Sequence, residues 1–265
     1  MNTTSDLKNV WSGTSSRAFR RSCLAVIPAA NAQQTIMQTV RGLRDRGFER
    51  VRVIDTGSSD ATPLRARAAG AEVLHERRCG IGQSCPHGLD NLPAGIAWVL
   101  FCNANASADL DDLDRLIAAA EKADVVIGNR ADSGAGCGIT GAIHRLGNRL
   151  VSKVIEYGWG FRFADFDSLR LVRREALDTL DMRRHGAGWN VVMQIRAVES
   201  RLNIVEVPVR YPALKGSCAS LGGSVSAAAR VASDMSQALG RLFFGAGATS
   251  ATQPAYGATP QFAGE

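Results

Sequence analysis

The sequence lacks several features that mark nucleic-acid-binding and membrane-spanning proteins. Aromatic residues make up only 6% of its 265 residues, and no run of Lys or Arg is longer than two. Neither a stacking platform nor a basic stripe for nucleic acid is therefore indicated. No stretch approaches the roughly 18 apolar residues that a membrane-spanning helix needs. We expect a protein that is soluble or attached to a membrane surface, without a nucleic-acid partner.

The chain also lacks the cysteine spacing of a structural metal site. Its six cysteines are scattered and form no C-x-x-C pair, and thiols within apolar runs act as small hydrophobic side chains. Cys79, Cys85 and His87 do not have the spacing of a closed zinc site. Residues 1–21 contain no apolar core of a secretory signal. These absences predict a cytoplasmic protein without a structural metal.

The length and charge of the chain favour one α/β domain with an anionic partner. A hydrophobic content of 45% over 265 residues is enough for a single large core. The formal charge of +6 suits a lipid surface or a phosphorylated small molecule. We predict one domain at residues 22–244. A polar leader (1–21) and a Gly/Ala/Ser/Thr-rich tail (245–265) are predicted to be disordered.

Short apolar runs alternate with helical patterns along the chain, which predicts a mainly parallel sheet with helices on both faces. The predicted strands are residues 24–28, 51–55, 72–75, 97–102, 125–128, 168–172 and 204–211. The predicted helices are residues 31–46, 62–69, 111–122, 143–157, 191–200 and 225–244. The last of these helices has one apolar face, which either packs on the domain or lies on an anionic membrane.

Three loops of short polar residues follow apolar strands, at residues 28–31, 55–60 and 102–107. In an open parallel sheet, ligands bind beyond the carboxyl ends of the strands. Hydroxyl, amide and carboxylate groups at that edge suit a base, a ribose or a diphosphate. These loops therefore predict a nucleotide site.

The order and composition of these loops resemble the family 2 glycosyltransferases, which have the GT-A fold. The family patterns V-I-P-x-x-N-E, V-D-x-G-S-x-D-x-T and D-x-D correspond here to VIPAANA (26–32), IDTGSSDAT (54–62) and NAN (103–105). The segments RLGNRL (145–150), DFDSLRL (165–171) and VEVPVRY (205–211) are similar to the branch that includes the dolichyl-phosphate mannose synthases. The resemblance covers about residues 24–242.

The resemblance implies roles for five residues of the first two loops. Asp55 is expected to face the nucleotide base, and Ser58 and Asp60 to help hold the base and the ribose. Pro28 and Asn31 are expected to shape the same pocket. Without the resemblance, Asp and Ser in these loops would be interpreted as turn formers.

The third loop departs from the family pattern because both acids of D-x-D are amides. Asn103 and Asn105 can still form hydrogen bonds, so we assign them to the nucleotide site. Neutral carbonyl oxygens bind Mg²⁺ or Mn²⁺, the family's cofactors, far more weakly than carboxylates do. We therefore assign no metal ligand. Other acidic positions of the family motifs are Ala32 and Val192 here.

Metal-independent transfer needs fixed cations in place of the ion, and Arg145, Arg149 and Arg170 are the candidates for contact with phosphate or acceptor. Asp165 is the first candidate for a catalytic base, with Asp167 as the second. A phosphate acceptor needs little deprotonation, so Asp165 could instead orient a helix or an arginine.

These observations predict a glycosyltransferase that uses a nucleotide sugar, with a polyprenyl phosphate or another cell-envelope molecule as the acceptor. The alternative is a catalytically impaired relative that binds a nucleotide or a protein. The G-x-G-x-x-G at residues 136–141 would indicate a dinucleotide-binding enzyme, but that motif belongs after the first strand of its fold. The expected location is the cytoplasm, either free or at the cytoplasmic face of the membrane.

Overall fold

The computed structural model describes residues 13–76, 81–104, 109–129, 139–166, 169–182, 188–210 and 240. Its strands are β1 (Cys23–Ala29), β2 (Arg50–Asp55), β3 (Glu72–His75), β4 (Trp98–Phe101), β5 (Val125–Asn129), β6 (Arg170–Arg173) and β7 (Ile204–Pro208). Its α-helices are α1 (Gly13–Arg21), α2 (Ile36–Asp45), α3 (Thr62–Ala68), α4 (Ile81–Gly88), α5 (Leu113–Ala119), α6 (Ile139–Trp159), α7 (Arg174–Leu180) and α8 (Trp189–Glu199). A 3-10 turn, Asp109–Asp112, precedes α5.

The described strands form one seven-stranded sheet in the order β3-β2-β1-β4-β6-β5-β7. Strand β6 runs antiparallel to both of its neighbours, β4 and β5, while the other pairs are parallel. All seven predicted strands are present, with ends that differ by a few residues. The structure therefore confirms a mainly parallel α/β sheet.

Hydrophobic cores cover both faces of the sheet. Along β1, Ala25 and Ile27 point into one core, while Leu24 and Val26 point into the other. Successive side chains of a strand point to opposite faces, so a strand covered on both sides needs an unbroken apolar run. This requirement explains why β1 was predictable from sequence. In β2 the apolar run is interrupted by Arg52, which is buried and donates to Glu72 of β3.

Helix α1 lies within residues 1–21, where the composition predicts a disordered leader. Its Phe19 ring packs against Trp98 of β4, with the ring centroids 5.4 Å apart, and Arg20 forms an ion pair with Asp114. Arg21 of the same helix forms an ion pair with Glu49, so an aromatic contact and ion pairs attach a polar helix to the domain. The ordered domain begins before residue 22, and residues 1–12 lie outside the described part of the chain.

Three other helices differ from the sequence prediction. Helix α2 begins at Ile36 and not at Asn31, because Asn31 has a left-handed φ of 49°. Helix α4 was not predicted, since it contains Pro86 and ends at Gly88. A Cβ on Gly88 would lie 2.5 Å from Cγ1 of Val26, so only glycine fits against the sheet. The short helix α7 was also not predicted.

The predicted helix at 225–244 and the predicted disordered tail lie outside the described residues, except for Gly240. The same is true of residues 136–138 of the glycine motif. No helix in the part of the chain that the structure describes is long and apolar enough to cross a membrane.

Candidate functional site

The first predicted loops meet where β1 and β2 end side by side. Ala29 and Asp55 are partners in the parallel register. The backbone N–H of Thr56 donates to the carbonyl of Ala29 over 2.9 Å, and the Thr56 hydroxyl donates to the same oxygen over 3.2 Å. The loop after β2 is thus fixed against the end of β1. Pro28 lies one register step earlier and is half-buried.

Asn31 holds the two loops together through its backbone and its side chain. Its N–H donates to Oγ of Ser58 over 3.0 Å, and its Oδ1 accepts from the N–H of Ser59 over 2.9 Å. The left-handed φ of 49° is one that Asn tolerates better than most residues. The structure therefore brings together Asn31 and Ser58, as the nucleotide-site prediction requires.

The Asp60 carboxylate connects the same loop to the segment before α2 and to the start of α3. Its Oδ2 accepts from the N–H of Gln33 over 3.2 Å, and its Oδ1 accepts from the N–H of Thr62 over 2.9 Å. Burial alone would raise the pKa of Asp60, but hydrogen bonds donated by Thr62 and Gln33 outweigh it and lower the pKa. Asp60 is an ionised group that stabilises the loop, and its contact with ribose stays a prediction.

Among the predicted nucleotide-binding residues that the structure describes, Asp55 has the most buried side chain, with 5% of it exposed. Its Oδ1 accepts from the N–H of Ser58 over 3.3 Å, and its Oδ2 lies 3.2 Å from Nδ1 of His75. On its far side, Nε2 of His75 lies 2.8 Å from an η-nitrogen of Arg67 in α3. The structure therefore adds His75 and Arg67 to the predicted site.

Sequence reasoning missed His75, although a signal for it was present. His75 is the last residue of β3, and it is the register partner of Asp55 in β2. Once two strands are predicted to be parallel neighbours, their last residues are expected at the same edge of the sheet. Applying this rule to β3 as well as to β1, β2 and β4 would have identified the histidine.

The third loop follows β4, and its Asn103 is half-buried. The hydroxyl of Thr39 in α2 donates to the carbonyl of Ala104 over 2.7 Å, which holds this loop near the first two. Asn105 lies outside the described residues. Within the described segments, no group of three or more His, Cys, Asp or Glu side chains could hold a metal ion. Because the donors at this loop are amides, they do not fit the cation that D-x-D binds, and metal independence stays a prediction.

Three side chains from three separate elements hold the segment that carries Asp165. Ser152 of α6 donates to the carbonyl of Phe163 over 2.6 Å. Glu206 of β7 accepts from the N–H of Ala164 over 3.0 Å, and Gln194 of α8 donates to the carbonyl of Asp165 over 3.0 Å. Asp165 is 3% exposed. The segment is fixed from several sides, and Asp167 lies outside the described residues.

Glu206 is a buried acid of β7 to which no sequence motif assigns a role. Burial raises its pKa to about 7, the hydrogen bond from Ala164 opposes this rise, and the charge of Asp165 adds to it. The two acids therefore interact electrostatically. Their proximity could not be inferred from the sequence, in which they are far apart.

The two predicted phosphate-contacting arginines whose side chains the structure describes, Arg149 and Arg170, have different environments. Arg170 is buried, and its guanidinium lies 6.0 Å from the ring centroid of Trp189. Arg149 is exposed on α6. The side chain of Arg145 lies outside the described part of the chain. Contact of these three residues with phosphate or acceptor stays a prediction.

Comparison with known proteins identifies the class of this protein. The model of glycosyl transferase family 2 matches residues 24–181. The chain therefore belongs to the family 2 glycosyltransferases, which confirms the family expected from the loop motifs.

Two relatives show how far the similarity extends. Glycosyltransferase AglJ of Haloferax volcanii is 30% identical over 188 residues, which cover 69% of this chain and 61% of that protein. The undecaprenyl-phosphate mannosyltransferase of Micrococcus luteus is 28% identical over 209 residues, covering 71% of this chain and 82% of that protein. The chain thus spans less than two thirds of the Haloferax protein's length.

Solved structures confirm the GT-A-like fold. Glucosyl-3-phosphoglycerate synthase from Mycobacterium tuberculosis, in complex with phosphoglyceric acid, has a TM-score of 0.64 at 19% identity, covering 88% of this chain and 86% of that one. A second structure of that enzyme contains uridine diphosphate, with a TM-score of 0.60. At this level of identity, the similarity establishes the fold alone.

Proposed function

We propose that the protein transfers a sugar from a nucleotide-sugar donor to a polyprenyl phosphate or a similar lipid-linked acceptor. The observation that carries the proposal is the cluster of Asn31, Ser58 and Asp55, which hydrogen bonds join at the carboxyl edge of the sheet. Asp60 of the same loop accepts from Gln33, two residues after Asn31. This edge is the ligand-binding edge of an open α/β sheet. Family membership supports the reaction class, and the uridine diphosphate complex of a structural relative supports the donor class.

The exposed face of α6 supports a lipid acceptor. Leu150, Val154 and Tyr157 lie at helical spacing on this face and are exposed, Tyr157 by 91%. Arg149 and Lys153 are exposed beside them, together with one acid, Glu156. An apolar stripe flanked by basic residues fits an interface with anionic lipids. We infer a peripheral location on the membrane face where the acceptor lies, and the named acceptor of the Micrococcus relative agrees with this inference.

The proposed chemistry needs few protein groups. An acceptor phosphate oxygen attacks the anomeric carbon, and the bond to the donor diphosphate breaks with its electron pair going to the diphosphate oxygen. An ionised phosphate needs no base, so Asp165 acts through the position of its loop or on the acceptor. We assign to the predicted amides and arginines the stabilisation of the charge that develops on the diphosphate.

A transfer assay tests the proposal with the whole chain. Undecaprenyl phosphate in anionic vesicles is offered with UDP-sugar or GDP-sugar donors, and the released nucleoside diphosphate and the glycolipid are measured. We expect both products in equal amounts. If no donor is consumed although a nucleotide binds in calorimetry, the protein is the impaired relative and not an enzyme.

The same assay tests the lipid surface. The triple change Leu150→Ser, Val154→Ser and Tyr157→Ser should slow transfer to the vesicle-embedded acceptor and leave transfer to a short-chain, water-soluble acceptor unchanged. The matched control is Leu64→Ser, which changes another exposed apolar residue, on α3. Equal loss with both acceptors would contradict a membrane role for α6.

A further inference from the structure

Three side chains in contact connect the solvent to the buried carboxylate of Asp55. An η-nitrogen of Arg67 lies 2.8 Å from Nε2 of His75, and Nδ1 of His75 lies 3.2 Å from Oδ2 of Asp55. The His75 side chain is 54% exposed, while that of Asp55 is 5% exposed. These contacts therefore connect the surface of α3 to the carboxylate at the end of β2.

The chemistry of Arg67 fixes the state of the histidine. A guanidinium has donors only, so Nε2 of His75 must provide the lone pair that accepts from it. A neutral imidazole that accepts at Nε2 carries its hydrogen on Nδ1. His75 therefore donates from Nδ1 to Asp55, and its ring orientation is fixed at both ends.

These contacts also restrict the orientation and the hydrogen bonding of the Asp55 carboxylate. One carboxylate oxygen accepts from His75, and the other accepts from the N–H of Ser58 over 3.3 Å. The carboxylate can therefore neither rotate freely nor donate a hydrogen bond, while each oxygen keeps a further accepting position. Asp55 is held as an oriented acceptor at the ligand-binding edge of the sheet.

We infer that His75, held by its contact with Arg67, is a positioning residue for the Asp55 carboxylate. Through Asp55 it makes the nucleotide site prefer bases with a ring N–H, namely uracil or guanine, over cytosine and adenine. Uracil and guanine present an N–H donor on the edge that pairs with another base. Cytosine and adenine present a lone pair at that place, which a fixed carboxylate repels. This inference rests on the proposed function, because it assumes that Asp55 faces the base.

The test measures the affinities of UDP, GDP, CDP and ADP by calorimetry for the full-length wild type and its variants. His75→Leu removes the donor, and His75→Asn restores an N–H near the position of Nδ1. Arg67→Met removes the contact that orients the His75 ring. Arg50→Met is the matched control, because it removes one exposed positive charge at the other end of β2.

The wild type should bind UDP or GDP at least about tenfold more tightly than CDP and ADP, as expected when a buried polar group is left without its partner. His75→Leu should lose most of this preference by weakening the favoured nucleotide about tenfold. His75→Asn should recover most of this preference. Arg67→Met should reduce the preference about threefold, and Arg50→Met should behave as wild type.

Two results overturn the inference and leave the proposed function standing: an undiminished preference in His75→Leu, or an equal loss for all four nucleotides, which would indicate a purely structural role. If His75→Leu does not fold, the same comparison is made between His75→Asn and Arg67→Met. A wild type that binds none of the four nucleotides would instead overturn the proposed function.

Discussion

At the β1–β2 end of the site, the polar groups come from the two loops that follow neighbouring strands, whereas at the β6–β7 end they come from three separate elements. Asn31, Ser58 and Asp60 are joined by hydrogen bonds that involve backbone N–H groups of two short loops. The segment around Asp165 is held instead by side chains of α6, α8 and β7.

The two ends also differ in how deeply their polar groups are buried. At the first end, Asn31 is exposed and Ser58 and Asp60 are half-buried, so a small ligand can reach these polar groups. The other end contains buried acids, and one of them has a pKa raised to about 7. We therefore expect mutations at the first end to alter nucleotide binding and mutations at the second end to alter stability in a pH-dependent way.

Glu206→Gln should give the largest effect and tests the second half of this comparison. The folded state raises the pKa of Glu206 from 4.5 to about 7. A raised carboxyl pKa means that its contribution to stability is complete below about pH 4.5 and is lost as the pH rises through about 7. The wild type should lose up to about 3 kcal/mol in this range relative to the glutamine variant, which keeps an acceptor for Ala164.

Urea unfolding of both proteins at about pH 5 and about pH 8 measures this difference. The variant should be the more stable protein at the higher pH, and the two should converge at the lower pH. Glu121→Gln, which changes an exposed acid on the surface, is the control and should show no such trend. A difference that is the same at both pH values would mean that Glu206 does not titrate in this range.

Asp55→Ala tests the first half of the comparison and should have the next largest effect. Removing the carboxylate leaves the base without its acceptor, so nucleotide affinity should fall by about 1–3 kcal/mol. Calorimetric titration with the preferred nucleoside diphosphate measures the loss. Asp90→Ala, which removes an exposed acid far along the chain, should bind as wild type does. Unchanged affinity in Asp55→Ala would return Asp55 to the role of a turn residue.

The two ends of the site were also not equally predictable from the sequence. The apolar runs of β1 and β2 and the turn-forming residues after them are local signals, so the strands and their polar loops could be identified together. Glu206 and Gln194 contact the segment of Asp165 from separate elements, and no local pattern marks such pairs. His75 was detectable only after β2 and β3 were paired as parallel neighbours. Helix α4 was missed for a local reason, because Pro86 and Gly88 disfavour a helix and only packing against the sheet stabilises it.

The smallest effect is expected from the amides of the third loop. It concerns how the predicted nucleotide site accommodates the negative charge of the diphosphate. A diphosphate and two carboxylates repel each other unless a divalent cation lies between them. With Asn103 and Asn105 the repulsion is absent, so wild-type nucleotide binding should not depend on Mn²⁺. The double change Asn103→Asp and Asn105→Asp should create a dependence, with affinity about three- to tenfold higher with Mn²⁺ than with a chelator.

Calorimetric titrations of both proteins, with Mn²⁺ and with a chelator, measure this dependence. A double variant with Asp111→Asn and Asp114→Asn is the control, because it changes two exposed acids outside the loop and should not alter the metal response. A fixed set of hydrogen-bond donors holds a diphosphate equally well in both conditions, whereas a carboxylate pair cannot. Loss of nucleotide binding by the wild type in the chelator would therefore reveal a metal site elsewhere and contradict metal-independent nucleotide binding.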